Sequence, residues 1–209
     1  MKEGRGTMKR IASMLILPLV VIAAGCAKAP TDKLAAAEKS VSEVRTAGAA
    51  TYVAEDFAKL EGMLASAKKE IAEQDAKFAL LRDYGKSEQL LDSVQADSAR
   101  VTTETAKKKE EARAAAMQAQ QAAQEAVKQA QMLVAKAPSG KDRSALQAIK
   151  ADAEGLTASL GEVQKAVDGG DFPGAQAKAK AIQDKAQSIT GEVQHALAKV
   201  QKGKAVKKK

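Results

Sequence analysis

Residues 112–133 read ARAAAMQAQQAAQEAVKQAQML, and the fold class follows from this segment. Alanine, glutamine, glutamate and lysine lose little conformational freedom in a helix, so the segment strongly favours helix. Its apolar side chains recur in the heptad spacing of helices that pack side by side. The members are Ala112, Ala116, Ala119, Ala123, Ala126, Ala130 and Leu133. We call this set the alanine seam, and its small side chains predict close approach of neighbouring helix backbones.

The alanine seam belongs to a longer predicted helix. No glycine or proline interrupts the chain from Lys86 to Ala137, which predicts one helix of about 50 residues and about 75 Å. Asp83 precedes it as a candidate N-cap. An earlier seam on the same helix consists of Leu91, Val94, Ser98, Val101 and Thr105. Lys107-Lys108-Lys109 interrupts the apolar spacing between the two seams.

Four further apolar stripes at helical spacing flank the long helix. Two precede it: Leu34, Ala37, Val41 and Val44, and then Phe57, Leu60, Leu64, Ala67, Ile71, Phe78 and Leu81, with polar Gln74 at one expected position. Two follow it: Leu146, Ile149, Ala153, Leu156, Leu160, Val163 and Val167, and then Ala175, Ala179, Ile182, Ala186, Ile189, Val193, Ala196 and Val200. Glycine and proline between the stripes mark the helix ends.

These patterns, with an aromatic content of 2% and no tryptophan, predict an all-α protein. The short connections favour an elongated antiparallel helical bundle over one extended coiled coil. We predict two three-helix bundles in tandem that share the long helix, with coiled-coil-like packing. The first spans residues 31–105 and the second spans residues 106–198. A faint repeat, Asp83-Tyr84 against Asp171-Phe172, fits two related units.

The first 26 residues contain a charged start, a short apolar run and the single cysteine of the chain. Lys9 and Arg10 precede the apolar residues 11–24, and Cys26 follows. A membrane-spanning helix needs about 20 apolar residues, and this run is shorter. Residues 1–25 are therefore interpreted as a secretory signal peptide and residues 26–30 as a linker.

The residues before the cysteine resemble the bacterial lipobox. They are Ile22, Ala23, Ala24 and Gly25, with Ala23 standing where the lipobox more often has leucine. The resemblance implies cleavage before Cys26, a thioether-linked diacylglycerol on its sulfur and a fatty acid such as palmitate on the new amino terminus. Ala27 after the cysteine resembles an outer-membrane address. The alternative is an ordinary signal peptide followed by an incidental cysteine.

The net charge of +8 is concentrated at the two ends of the chain. Residues 1–25 carry four cations and one anion, the last eleven residues carry six lysines, and the part between is close to neutral. A neutral body argues against a nucleic-acid partner. The basic tail, residues 199–209, predicts contact with peptidoglycan or another anionic envelope polymer through Lys204, Lys207, Lys208 and Lys209. The alternative is a solubilising end without a partner.

Two family resemblances extend this interpretation. Residues 49–57, AATYVAEDF, and Asp83-Tyr84 resemble uncharacterised Ala-rich envelope lipoproteins, whose helical domain often precedes a peptidoglycan-binding OmpA-like domain. The similarity covers roughly residues 26–105, and Val53 replaces a proline that many members have. The plan is also similar to the Braun-type murein lipoprotein, which ends in lysine. That resemblance implies covalent attachment of Lys209 to peptidoglycan.

The chain offers few groups for catalysis. Its single histidine, His195, lies beside the last stripe, and Cys26 is consumed by lipid in this interpretation. We therefore predict no enzyme, no catalytic residue, no metal and no cofactor beyond the covalent lipid. The expected protein is a lipid-anchored spacer or tether between the outer membrane, on its periplasmic side, and the cell wall. The alternative is a periplasmic adaptor that holds a protein partner. An exposed alanine seam would favour the adaptor, and a buried seam would favour the spacer.

Overall fold

The computed structural model describes residues 27–137 and 143–206. Within these ranges the chain forms six α-helices and one 3-10 helix, without strands, so the predicted all-α class is confirmed. The α-helices are α1 (Thr31–Thr46), α2 (Ala49–Tyr52), α3 (Ala54–Asp75), α4 (Gly85–Lys136), α5 (Arg143–Asp168) and α6 (Phe172–Val206). The 3-10 helix, Ala79–Leu81, lies between α3 and α4. Among these helices, none combines the length and the apolar character that a membrane crossing requires.

The longest helix is α4, whose 52 residues extend for about 78 Å. Its bounds, Gly85 and Lys136, lie within one residue of the predicted ones. The predicted N-cap is wrong, because Tyr84 occupies that position. Asp83 still contributes to the helix start, since its Oδ1 accepts a hydrogen bond from the Gly85 backbone N–H at 2.9 Å.

Ion pairs give the directions of the helices in the first half of the chain. Arg45 in α1 pairs with Glu61 in α3, and Lys68 in α3 reaches back to Glu38 in α1 at 2.6 Å, so these two helices are antiparallel. The start of α4 likewise lies against the end of α3, and α4 then runs back along α3. Consequently α1 and α4 run in the same direction.

Hydrogen bonds give the directions in the second half. The Nε2 of Gln120 donates to Oε1 of Gln164 at 2.7 Å, and the Nε2 of Gln131 donates to the Ala153 carbonyl at 3.2 Å, so α4 and α5 are antiparallel. The turn at residues 169–171 reverses the chain from α5 into α6. Thus α6 also runs in the direction of α4.

The buried apolar residues form two clusters. The first contains Ala37, Val41, Val44, Ala49, Phe57, Leu60, Ala67, Ile71, Tyr84, Leu91, Val94 and Val101. The second contains Ala116, Ala123, Val127, Ala130, Val134, Ala153, Leu156, Val163, Ala166, Phe172, Ala175, Ala179, Ile182, Ala186, Ile189 and Val193. Both clusters include residues of α4, so this one helix contributes to both cores.

The predicted stripes match the cores at most of the described positions, but Ala166 in α5 is buried although the predicted stripe omits it. The side chain of Val200 lies outside the described residues. Phe78 and Leu81 are exposed, because α3 ends at Asp75 before the stripe is complete. Val127 and Val134 are buried beside the alanine seam, because α4 packs against both α5 and α6 and its apolar stripe is therefore wider than predicted. In α6, Ala196 is exposed.

Tyr52 in α2 links the two halves of the chain. Its hydroxyl donates a hydrogen bond to the Gly170 carbonyl at 3.2 Å, and its ring packs against the second cluster. Burial, and the nearby Asp171 carboxylate, raise the pKa of the Tyr52 phenol. The turn that presents the ring depends on Gly48, which has a φ of 101°, a backbone conformation that glycine adopts without strain.

Gly48→Ala is expected to lower the free energy of unfolding by about 1–2 kcal/mol. An alanine there would have to adopt a φ of 101°, which is unfavourable for a residue with a side chain, and its Cβ atom would lie 3.3 Å from the Tyr52 ring. The matched control is Gly62→Ala inside α3, where a Cβ meets open space. The control should raise stability by about 0.5–1 kcal/mol, because alanine favours a helix interior over glycine. Urea denaturation measures both, and changes of the same sign would contradict the assignment of Gly48.

Candidate functional site

The residues of the predicted lipid and wall sites lie largely outside the described part of the chain. They are Ile22, Ala23, Ala24, Gly25, Cys26, Lys207, Lys208 and Lys209. The backbone of Lys204 belongs to α6, but its side chain is also outside the described set. The structure therefore places the segments next to these sites: residues 27–30 on one side and the end of α6 on the other.

Residues 27–30 lead into α1, which begins beside the start of α4. Ala29 packs against the first cluster. The Nζ of Lys33 lies 3.0 Å from Asp92 Oδ2 and 3.5 Å from Glu88 Oε2, both near the start of α4. The hydrogen bond to Asp92 raises the pKa of the Lys33 ammonium above its ordinary value. The first described residues therefore lie at the same end of the first half as the α3–α4 connection.

That connection is held by a buried glutamine. The Nε2 of Gln74 donates to Oε1 of Glu70 at 2.9 Å. Its Oε1 accepts from the Nζ of Lys77 at 3.0 Å and from the Asp83 backbone N–H at 3.0 Å. These hydrogen bonds explain why a polar side chain occupies an apolar position of the stripe.

Tyr84 and Arg82 fix the same connection by hydrogen bonds to residues at and just beyond the end of α3. The Tyr84 ring is buried, and its hydroxyl donates to Asp75 Oδ1 at 2.5 Å. This hydrogen bond, together with burial, raises the pKa of the Tyr84 phenol. Arg82 donates from Nε to the Lys77 carbonyl at 3.1 Å and from Nη2 to the Asp75 carbonyl at 2.9 Å. The Asp75 carbonyl belongs to the last turn of α3 and would otherwise lack a partner in the helix, and the Lys77 carbonyl lies just beyond it.

The aromatic residue of each repeat motif has the same role in both halves. Tyr84 precedes α4 and is buried in the first cluster, and Phe172 begins α6 and is buried in the second. In each case the preceding aspartate accepts a hydrogen bond from a backbone N–H of the helix start. The sequence repeat thus marks two turns that anchor a helix start by one aromatic ring.

Between Gln74 and Tyr84, the connection from α3 to α4 exposes its apolar side chains. Phe78 and Leu81 are each 71% exposed, and Leu80 is 66% exposed. We call residues 77–82 the apolar loop. Sequence reasoning missed it, because Phe78 and Leu81 continue the helical spacing of the stripe before them.

An ion pair with a buried carboxylate lies beside the apolar loop. Glu70, 8% exposed, contacts the Nζ of Lys86 at 2.5 Å. The hydrogen bonds from Lys86 and Gln74 lower the pKa of the Glu70 carboxyl, and the same pair raises the pKa of Lys86. The charged form of Glu70 therefore stabilises the folded chain.

Glu70→Gln is expected to reduce the loss of stability in acid. Because the Glu70 pKa is lower in the folded chain than its ordinary 4.5, its contribution is complete above that pH and is lost as pH falls through the lowered pKa. The melting temperature of the unmodified protein should therefore fall more than that of the variant between about pH 6 and about pH 3. Glu73→Gln removes an exposed carboxylate, and its melting temperature should fall in acid by as much as that of the unmodified protein. Equal acid sensitivity of Glu70→Gln and the unmodified protein would contradict the assignment.

The two ends of the described chain lie at opposite ends of the helical body. Residues 27–30 lie at the start of α4, and α6, which runs in the direction of α4, ends at Val206. His195, near that end, is exposed. The predicted lipid site and the predicted basic tail thus adjoin opposite ends of the body.

The chain matches no protein-family model, no curated protein and no solved structure with which it was compared.

Proposed function

We propose that this protein is a lipid-anchored spacer of the bacterial cell envelope, held in the outer membrane by lipid on Cys26 and reaching the cell wall with its basic tail. The observation that carries the proposal is that residues 27–30 and Val206 lie at opposite ends of the helices α4, α1 and α6. A diacylglycerol on Cys26 would hold the start of α1 at the bilayer. The tail, with Lys204 and Lys207–Lys209, would then project away from that bilayer toward peptidoglycan carboxylates.

The proposed body consists of two three-helix bundles in tandem that share α4. Residues 31–105 form the first, from α1, α3 and the start of α4, and residues 106–198 form the second, from the rest of α4 with α5 and α6. The separation of the buried residues into two clusters supports this division. The heptad spacing of the buried alanines supports coiled-coil-like packing. A body of this plan would separate its ends by at least the length of α4, about 78 Å.

The burial of the alanine seam supports a spacer over an adaptor. Ala116, Ala123 and Ala130 are fully buried within the chain, where α4 packs against α5 and α6. An adaptor that used this seam would need it exposed. The spacer proposal assigns no catalytic residue, no metal and no cofactor beyond the lipid on Cys26.

Cys26→Ala tests the anchor. The variant should leave the membrane fraction of fractionated cells, because no thioether-linked lipid can form without the sulfur. Ala23→Leu is the control, since it brings the segment closer to the usual lipobox and should preserve membrane association. Continued tight membrane association of Cys26→Ala would contradict the proposed anchor.

Boiling cells in detergent and pelleting their sacculi tests the wall contact. Covalent attachment through Lys209 predicts protein that survives boiling and is released by muramidase. Lys209→Arg keeps the charge of the tail but removes the ε-amine, so it should abolish this retention, and a variant without Lys207–Lys209 should do the same. Complete loss of the unmodified protein on boiling would contradict covalent attachment. Sedimentation with sacculi at low and high salt would then test an ionic contact.

A further inference from the structure

We propose that the apolar loop, residues 77–82, inserts into the surface of the membrane that holds the lipid anchor. This inference rests on the proposed lipid at Cys26 and goes beyond it, since it assigns the first half of the protein a second membrane contact. One lipid attachment alone would leave the helical body free to pivot. A second contact beside it would set the orientation of the body relative to the bilayer.

The first argument is the concentration of exposed apolar side chains. Five large apolar residues are exposed in the described ranges: Phe78, Leu80, Leu81, Met117 and Met132. Three of them lie within four consecutive residues. Single exposed apolar side chains are ordinary on protein surfaces, whereas a contiguous group marks a contact with a membrane or a partner.

The second argument is that hydrogen bonds and a buried ring hold the backbone of the apolar loop in place. The hydrogen bonds of Arg82 to two carbonyls, the Leu81 N–H to the Phe78 carbonyl at 2.8 Å and the buried Gln74 fix its backbone. The buried Tyr84 ring ties the loop to the first cluster. The exposed side chains are therefore presented by an ordered turn.

The third argument is position. The ion pairs of Lys33 place the start of α1 beside the start of α4, and the apolar loop immediately precedes α4. The backbone from Cys26 to Thr31 can extend over about 18 Å at most. A bilayer that holds lipid on Cys26 would therefore lie within reach of the apolar loop.

The fourth argument is charge. Lys77 and Arg82 flank the exposed apolar residues, and Lys28 is exposed at the same end. Lys77 and Arg82 already donate hydrogen bonds within the chain, so their remaining N–H groups and the exposed Lys28 ammonium are the ones that would face the phosphates of lipid headgroups. The nearby carboxylates of Asp75 and Asp83 accept hydrogen bonds from the chain itself.

Tryptophan fluorescence tests the insertion, because the chain has no tryptophan and a single cysteine. Phe78→Trp would be introduced into the mature chain from Cys26, which retains every residue of both clusters. Cys26 would be coupled to a maleimide-bearing lipid in vesicles of phosphatidylethanolamine and phosphatidylglycerol in equal parts. We expect the emission of the introduced tryptophan to shift to shorter wavelength and to be quenched by brominated acyl chains. Met117→Trp, on an exposed position of α4, should keep the emission of a tryptophan in water.

An unshifted emission of Phe78→Trp on fully coupled vesicles would overturn the proposal. A shift that appears without vesicles and grows with protein concentration would also overturn it, by showing that a second copy covers the loop. Because the coupling is chemical, neither result depends on whether cells acylate Cys26, so failure of the insertion is distinguishable from failure of the anchor. A second measurement uses the uncoupled chain: Leu80→Ser with Leu81→Ser should lower its partitioning into the same vesicles by about tenfold or more. Unchanged partitioning would count against insertion.

Discussion

Ala123→Glu is expected to destabilise the second half of the protein by about 4 kcal/mol or more. Ala123 is fully buried in the second cluster, where α4 packs against α5 and α6. A glutamate there would carry an unpaired charge into an apolar core, and its added volume would force the helices apart. The free energy of unfolding, measured by urea denaturation, should show the loss.

Gln124→Glu is the matched control, because it creates the same side chain one position away on the exposed face of α4. It should change stability by no more than about 0.5 kcal/mol. Burial raises the pKa of the introduced carboxyl, so the deficit of Ala123→Glu should also shrink as pH falls from that raised pKa toward the unfolded value of about 4.3, because the buried carboxyl becomes protonated. Equal stability of the two variants would contradict the burial of the alanine seam in solution.

Leu91→Ala is expected to lower the free energy of unfolding by about 3 kcal/mol. The Leu91 side chain is fully buried in the first cluster, so the substitution removes buried apolar atoms and leaves a cavity. The matched control is Leu80→Ala in the apolar loop, which removes the same atoms from a side chain exposed to solvent. The control should change stability by about 0.5 kcal/mol or less. A large loss in Leu80→Ala would show that the apolar loop is covered in solution.

Much of the helical arrangement was predictable from side-chain spacing. The alanine seam and the earlier seam on α4 identify its buried face, including polar Ser98 and Thr105, whose hydroxyls donate to carbonyls four residues before them. The width of that face was not predictable in the same way. Val127 and Val134 are buried because α4 touches two helices in this region, and the number of neighbours is a property of the assembled fold.

The connection from α3 to α4 shows where spacing misleads. Phe78 and Leu81 continue an apolar period, and no glycine or proline separates them from α3. The helix nevertheless ends at Asp75, where Arg82 and Gln74 provide hydrogen bonds that replace those of a further turn. Hydrogen bonds of this kind, between residues seven and nine positions apart, follow no fixed spacing in the sequence.

Part of the candidate site was identified from the sequence, and part could be found only in the structure. Cys26 and the lysines of the tail were identified through resemblance and charge, and they remain predictions. The apolar loop could be found only after folding, because the same residues would serve as core in an uninterrupted helix. Its relation to Cys26 depends on α1 and α4 running in the same direction, which the spacing of neither helix indicates.

The common direction of α1, α4 and α6 has a mechanical consequence. If the protein is held at a membrane and pulled from a wall, the load runs parallel to the helix axes. The helices α1 and α6 would then slide along α4, and the contacts between them would be loaded in shear. Lateral contacts loaded in shear resist together and fail together, whereas contacts that are peeled fail one after another. We expect a force-extension measurement with handles at residues 27 and 206 to show abrupt rupture at a well-defined force. Such a body would transmit tension between the two layers of an envelope without lengthening gradually.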